Sequence, residues 1–317
     1  MTAAATAASG AGGTDADAVR LVGVSKRYGR MPALDDLTMH VRRGEVFGFL
    51  GPNGAGKTTT VRILLGLTAA SSGEAWVLGA PAGDRRARRR VGYAPELFRH
   101  PPWLSGREVL GVHAALAGLP TAGRADAVQR ALERVGLGER GGERVSGYSK
   151  GMQQRLALAA ALLGEPHLVV LDEPTSALDP LGRRDVRELI RALKGEGVTV
   201  FLNSHLLSEV ELVCDRVAVI RRGRIVAEGT LDALRGRPEV RIRLEGADAS
   251  VRDALGAFGP VGEEAPWLTV GLADIGRVPD LVAAVVAAGG RVQAVEARAG
   301  SLEDRLIELL QGGGGGQ

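Results

Sequence analysis

The chain has 317 residues, 45% hydrophobic and 24% charged, a balance that fits a globular protein of about two domains and argues against wholesale disorder. A formal net charge of +3 is too small to point to nucleic acid, and the single cysteine, Cys214, excludes an intramolecular disulfide and argues against a cysteine-rich zinc site. No apolar run approaches the roughly 18 residues of a membrane span, and the N-terminal stretch lacks the basic and apolar segments of a signal peptide, so the chain is expected in the cytoplasm, meeting any membrane through a partner.

Residues 1–18, mostly Ala, Thr, Gly and Ser, read as a disordered leader. Residues 19–24 and 34–41 read as short strands, and 45–50 as a buried strand running into a glycine-rich turn, followed by a helix over 58–67. Residues 104–164 are mostly helical, with breaks near 118–123 and 136–147. A buried strand at 167–171, a helix at 181–194, a strand at 198–203, a helix at 206–214 and a hairpin over 216–220 and 224–228 complete an alternating, layered α/β core. A boundary is expected at 236–238. Beyond it, strands at 239–245, near 268–270 and at 291–296 alternate with helices at 250–258, 278–287 and 302–311. This small α/β unit has no glycine-rich loop and no clustered titratable groups. Its last helix carries an apolar stripe, Leu302, Leu306, Leu309 and Leu310, spaced for burial, and 312–317 reads as a loose glycine tail.

Three segments carry chemistry. Gly51-Pro52-Asn53-Gly54-Ala55-Gly56-Lys57-Thr58-Thr59 matches the phosphate-binding P-loop pattern in full, with a buried strand before it and a helix after it. Its glycines let successive backbone N–H groups curl around phosphate oxygens, and the following helix aims its N-terminal dipole at the anion. Lys57 is expected to reach the β- and γ-phosphates, and Thr58 to offer its hydroxyl to Mg²⁺. The run 168–174 is an apolar strand ending in Asp172-Glu173-Pro174. Such a strand delivers carboxylates to the sheet's carboxyl edge, Asp172 to hold the metal's water shell and Glu173 to polarise an attacking water. Between the two lies Gly147-Tyr148-Ser149-Lys150-Gly151-Met152-Gln153-Gln154-Arg155, with Ser149 as a candidate N-cap. This is either only a helix start or an anion site that faces a nucleotide bound to another chain.

These ordered motifs make residues 19–235 resemble the ATP-binding subunits of ABC transporters. The 148–152 segment is similar to their signature motif, usually Leu-Ser-Gly-Gly-Gln, with Tyr148, Lys150 and Met152 replacing Leu, Gly and Gln. The resemblance implies that Tyr28 stacks on adenine, that Asp179 lies in the loop after the catalytic glutamate that crosses a dimer interface, and that His205 is a switch histidine contacting the γ-phosphate. It also aligns Glu96 with the usual Gln of the loop that approaches Mg²⁺ and the catalytic water; Glu96 keeps an oxygen acceptor but loses the amide donor. Lys150 adds positive charge that offsets Glu96 if both approach one nucleotide. Together with 203–215 and the extra C-terminal unit, these departures resemble the exporter branch called ABC-2 or drug-resistance type.

The resemblance implies a P-loop NTPase core with an N-terminal antiparallel β element and a helical subdomain around 96–164, followed by the accessory α/β domain, 236–311. The implied function is ATP hydrolysis with Mg²⁺, energising export through a separately encoded membrane permease, at the cytoplasmic face of the membrane and with no nucleic acid. Two copies are expected to pack head to tail, each ATP lying between the P-loop of one and Ser149, Lys150 and Gly151 of the other. The alternatives are a soluble ABC-type ATPase acting on ribosomes, which usually carries two cassettes, and a nucleotide-dependent regulator, which Glu173 argues against. His40, His100, His113 and His167 lack ligand spacing and read as surface or core residues. The five arginines of 85–90 read as a solvated helix face, with anionic lipid or RNA as the alternative. Trp103 reads equally as core or as an exposed aromatic in the region that faces the membrane subunit in the resembled family.

Overall fold

The computed structural model describes residues 16–96, 98–176, 178–235, 238–246, 248–298, Leu302 and Leu306. The first fifteen residues of the expected leader, the 312–317 tail, and Leu309 and Leu310 of the last stripe lie outside the described residues. The chain divides into two compact units, Met1–Thr230 and Leu231–Gln317. The division leaves the short helix after Thr230 with the second unit.

The first unit opens with β1 (Asp17–Tyr28), β2 (Met31–Arg42) and β3 (Val46–Leu50). β1 begins inside the stretch expected to be leader, because Ala18 and Val19 are already fully buried. Next come α1 (Lys57–Leu64), β4 (Ser72–Val77), β5 (Ala80–Pro81), α2 (Arg85–Arg88) and β6 (Val91–Ala94). The helical region holds α3 (Gly106–Leu116), α4 (Arg124–Arg134) and α5 (Lys150–Leu162). The unit closes with β7 (Leu168–Asp172), α6 (Pro180–Gly195), β8 (Thr199–Ser204), α7 (Leu207–Glu211), β9 (Arg216–Arg221) and β10 (Arg224–Thr230).

Two sheets form. One is antiparallel, in the order β2-β1-β4-β5, and the other runs β10-β9-β3-β8-β7-β6. In the second sheet β9, β3, β8, β7 and β6 are parallel and only the β9–β10 hairpin is antiparallel. The central strands are buried along their whole length, as strands covered on both faces must be. Phe47, Phe49 and Phe201 stack across β3 and β8 with centroids 5.4–6.0 Å apart, joining the two sheets and α1 in one core. Each such ring contributes roughly 1.5–3 kcal/mol on burial. In the helical region Ser105 and Glu108 form a capping box at the start of α3: the Glu108 N–H donates to Ser105 Oγ at 3.2 Å and the Ser105 N–H to Glu108 Oε2 at 2.8 Å. Trp103 is 70% exposed, which removes the reading of it as a core residue. His100 is buried against Phe98 with centroids 3.9 Å apart, and burial, helped by His113, pushes its imidazole down to about 4.

The second unit contains α8 (Leu231–Leu234), β11 (Glu239–Glu245), α9 (Ala249–Gly256), β12 (Val261–Glu264), β13 (Trp267–Gly271), α10 (Val278–Ala287) and β14 (Arg291–Arg298). Its antiparallel sheet runs β12-β13-β11-β14, and the β-α-β-β-α-β order makes it a split β-α-β unit. Val240, Ile242, Leu268 and Val270 face Val251, Leu255, Leu281 and Val285 of the helices. The alternate residues of the sheet carry Arg241 and Arg243, whose guanidinium carbons lie 5.2 and 5.6 Å from the centroid of Trp267. Leu302 and Leu306 are helical, and Leu302 is buried. No helix among the described residues is long and apolar enough to cross a membrane.

Three basic residues one turn apart on α6 tie down the segment after β8. Arg187 binds both oxygens of Glu209 at 3.1 and 2.9 Å, Arg191 donates to the Leu212 carbonyl at 3.0 Å, and Lys194 pairs with Asp215 at 2.5 Å. The Arg187–Glu209 pair is the most enclosed of these, with side chains 20% and 9% exposed. Arg187→Ala strands a buried carboxylate and is expected to cost about 2–3 kcal/mol in urea unfolding. Adding Glu209→Ala should recover part of that loss; strictly additive losses would contradict the coupling.

Candidate functional site

The parallel register sets the site. Leu50 of β3 lies beside Ser204 of β8, and Asp172 of β7 lies beside Asn203 of β8. The loop after β3, the acids ending β7, the residues ending β8 and the segment leaving β6 therefore emerge at one carboxyl edge, where open α/β sheets bind ligands.

The glycine-rich loop is wedged between β2 and the β9–β10 hairpin. The Gly223 N–H donates to the Ala55 carbonyl at 2.8 Å. Gly56, with φ 114°, lies where a Cβ would stand 2.7 Å from Leu34 Cδ2 and 2.8 Å from the Ala33 carbonyl oxygen, so no side chain fits. At Gly51 a Cβ would meet the Ile220 carbonyl oxygen at 2.3 Å. Pro52, Asn53, Gly54 and Thr58 are exposed, and Thr59 is half-buried. Lys57, the first residue of α1, is buried and its Nζ donates to the Gly51 carbonyl at 2.6 Å. This holds the ammonium over the loop it follows.

The acids converge on that ammonium. Burial pulls Lys57 below the ordinary lysine value, while the nearby charges of Glu173, Asp172 and Glu96 hold it up. Asp172 is 6% exposed and accepts a short hydrogen bond from Asn203 Nδ2. Burial raises its carboxyl above the ordinary 3.8; Asn203 and Lys57 oppose the rise, and Glu96 and Glu173 add to it. Burial and the Asp172 charge push the Tyr93 phenol of β6 up to about 12. Glu173 is also 6% exposed, and its N–H donates to the Asn203 carbonyl at 2.9 Å. Its φ is +49°, a left-handed conformation costly for a residue with a Cβ. His205 Nδ1 lies 2.8 Å from Glu173 Oε2 and is half exposed. Glu96 is exposed at the end of the segment leaving β6.

The carboxylates of Asp172 and Glu96 and the hydroxyl of Thr58 are hard oxygen donors, the chemistry that suits Mg²⁺. Among the described residues no group of three or more His, Cys, Asp or Glu is arranged to hold a metal by itself. The donor set fits an ion that draws its other ligands from phosphate oxygens and water.

Not every predicted residue joins this cluster. Ser149 caps α5, accepting from the Met152 N–H at 3.2 Å, and Ser149 and Lys150 are exposed. A Cβ on Gly151 would lie 3.3 Å from Leu178 Cδ2, so this helix start sits against the loop after β7. In that loop Asp179 caps α6, accepting from the Gly182 N–H at 2.8 Å, with Pro180 next; Ala177 lies outside the described residues. Tyr148 is buried and its hydroxyl donates to the Arg140 carbonyl at 2.8 Å, which anchors the turn before Ser149. Tyr28 ends β1, 48% exposed, with Lys26 Nζ 5.1 Å from its ring centroid. Asn203 and the Tyr93 hydroxyl are the site groups that sequence reasoning missed. Asn203 had only one signal, a polar residue closing an apolar strand.

The ABC transporter family model matches residues 34–176. The chain is 44% identical over 209 residues to an uncharacterised ABC transporter ATP-binding protein of Nostoc, covering 65% of this chain and 62% of that protein. The chain thus spans less than two thirds of the Nostoc protein's length. It is 43% identical over 219 residues to a Nod factor export ATP-binding protein of Bradyrhizobium diazoefficiens, covering 68% of this chain and 72% of that protein. A solved structure of the ATP-binding subunit of an ABC transporter superposes with a TM-score of 0.63 at 32% identity, covering 68% of this chain and 91% of that chain.

Lys57→Met removes one of the two groups that hold the Asp172 carboxyl down, so that carboxyl rises further above 3.8. A carboxyl raised in the folded state takes up its proton more readily there than in the unfolded chain. Its effect is therefore absent below the unfolded value and becomes destabilising as pH rises through the folded one. The stability of the variant relative to the parent, from urea unfolding of nucleotide-free protein, should fall from about pH 4 to neutrality. A difference independent of pH would contradict the coupling of Lys57 to Asp172.

Proposed function

The chain belongs to the ABC transporter family of ATP-binding proteins, and on that premise we propose that it hydrolyses ATP to energise export through a separately encoded membrane permease. The observation that carries the proposal is the junction of Lys57, Asp172, Glu173 and His205 at one sheet edge, with His205 2.8 Å from Glu173. The backbone N–H groups of 53–56 and the start of α1 cradle the phosphates, and Lys57 swings from the Gly51 carbonyl to the β- and γ-phosphate oxygens. Tyr28 offers its exposed ring to the adenine. Glu173, buried and fixed by Asn203, orients the attacking water and draws on its proton, while His205 meets the γ-phosphate from the next strand. Asp172, Thr58 and Glu96 would hold Mg²⁺, which would supply charge neutralisation on the phosphates when bound.

The signature segment serves a second copy. Ser149, Lys150 and Gly151 lie exposed or half-buried at the N-terminus of α5, with Gly151 against Leu178 of the loop that leads to Asp179. Head-to-tail pairing would present this helix start, and the Lys150 charge, to the partner's γ-phosphate. The export direction draws support from the Bradyrhizobium relative, and on this reading the protein works at the cytoplasmic face of the membrane, against its permease. The second unit is assigned to dimer or permease contacts.

Glu173→Gln should retain ATP binding but cut turnover about 10²–10⁴-fold, the usual contribution of a general base. Under saturating ATP and Mg²⁺ that variant should also accumulate as a dimer in light scattering. Lys57→Ala should lose nucleotide affinity as well as turnover. Near-parental ATPase activity of Glu173→Gln with the permease would remove Glu173 from its role, and a strictly monomeric mass would remove the composite site.

A further inference from the structure

All five arginines of 85–90 are exposed, as a solvated face would be, and the last two also border a groove. Arg89 and Arg90, which lead into β6, line a groove of about 920 Å³ together with Arg124 and Arg130 of α4. Its floor is apolar, with Leu119, Pro120, Ala127, Leu162 and Leu163. We propose that this groove binds a small amphipathic oxyanion, an aliphatic body carrying a phosphate or carboxylate head.

Charge argues for an anion. Five arginines line the groove against two glutamates, Glu133 and Glu165. Arg134 is engaged by Glu196, and Glu133 accepts from Gln129 Nε2 at 2.8 Å. Among the described residues Arg89, Arg90 and Arg130 have no carboxylate partner. Arg124 spends Nη2 on the Leu119 carbonyl at 2.7 Å, but its Nε is buried without a hydrogen-bond partner. A guanidinium offers an oxyanion a planar, two-point fit that an ammonium lacks, which suits the exposed arginines Arg89, Arg90 and Arg130 to such a head.

Size argues for a small molecule. A volume of several hundred Å³, an apolar lining and a few convergent polar groups are the anatomy of a small-ligand site. The place is also distinct from the nucleotide edge. Arg90 precedes β6 and Glu165 precedes β7, so the groove lies at the amino ends of strands whose carboxyl ends carry Asp172 and Glu96. The five residues of β7 alone put about 15 Å between the two ends. Because Arg89 and Arg90 form the turn that leads into β6 and Arg124 and Arg130 belong to α4 of the helical region, a bound anion would link the two.

Titration calorimetry of the full chain with decyl phosphate and with decanoate tests the proposal. Saturable binding is expected for at least one of them, with decanol and inorganic phosphate weaker. Arg89 and Arg130 are exposed, so the double variant Arg89→Gln/Arg130→Gln should fold, as its thermal melt will report, and should weaken binding about tenfold or more. Arg124→Gln serves as the second variant and should show the same loss, whereas Lys57→Ala at the nucleotide edge should leave binding intact. Sedimentation with phosphatidylcholine vesicles containing phosphatidic acid separates the sources. Arginine-dependent co-sedimentation names a lipid headgroup, and its absence with retained decyl phosphate or decanoate binding names a free amphiphile. Absence of saturable binding to both amphiphiles, or equal affinity in the parent and the arginine variants, would overturn the proposal.

Discussion

Asn203 faces Asp172 across the β7–β8 ladder, and through it one buried residue places both acids of the site. Its side chain donates to Asp172, and its carbonyl accepts the Glu173 N–H at 2.9 Å. The next residue of the same strand, Ser204, lies beside Leu50, from which the glycine-rich loop departs. The loop, the two acids and His205 are therefore held in register by one run of strand hydrogen bonds. A slip of one residue in β8 would turn its buried side chains to the opposite face and dismantle the edge at once.

That edge is built against its own stability. Three carboxylates surround one ammonium whose charge burial already disfavours, and Glu173 takes a left-handed backbone that a side chain resists. The cost is offset by the surrounding frame. Strands buried throughout, the Phe47–Phe201–Phe49 stack and the tie of Gly223 to Ala55 leave the loop and the acids no alternative arrangement. Local rules are broken here and obeyed elsewhere, a pattern expected of a functional site.

Much of this was legible from residues alone, for reasons that differ from part to part. The glycine-rich loop was visible because the backbone there tolerates few alternatives, as Gly51 and Gly56 demonstrate. The buried strands announced themselves as unbroken apolar runs, and Ser149 as a cap. β4 and β12 did not, since Ser72-Gly73-Glu74 and Gly262-Glu263-Glu264 are polar and these strands pair through backbone. β6 is only four residues long, too short a run to stand out as a strand. The nearness of His205 and Glu96 to the acids came from family resemblance; adjacency of β6, β7 and β8 is a tertiary fact with no local signal. The burial of Tyr148 and the exposure of Trp103 depend on packing between helices and loops, which spacing does not encode.

The position of β3 also governs how the chain is made. It lies in the sheet between β8 and β9, so Val46 must wait for Val200 before its ladder can close. At ribosomal rates of about 5–20 residues per second, the interval of roughly 150 residues lasts on the order of 8–30 s. Through that time a strand of Val46, Phe47, Phe49 and Leu50 leaves the exit tunnel with both edges open, an invitation to pair with the wrong chain. The antiparallel pairing of β1 with β2, complete within the first 42 residues, gives the nascent chain an early apolar surface on which β3 can shelter. Successful biosynthesis then becomes a race between late strand arrival and premature association, decided by translation speed and chaperone capture before a single nucleotide is bound.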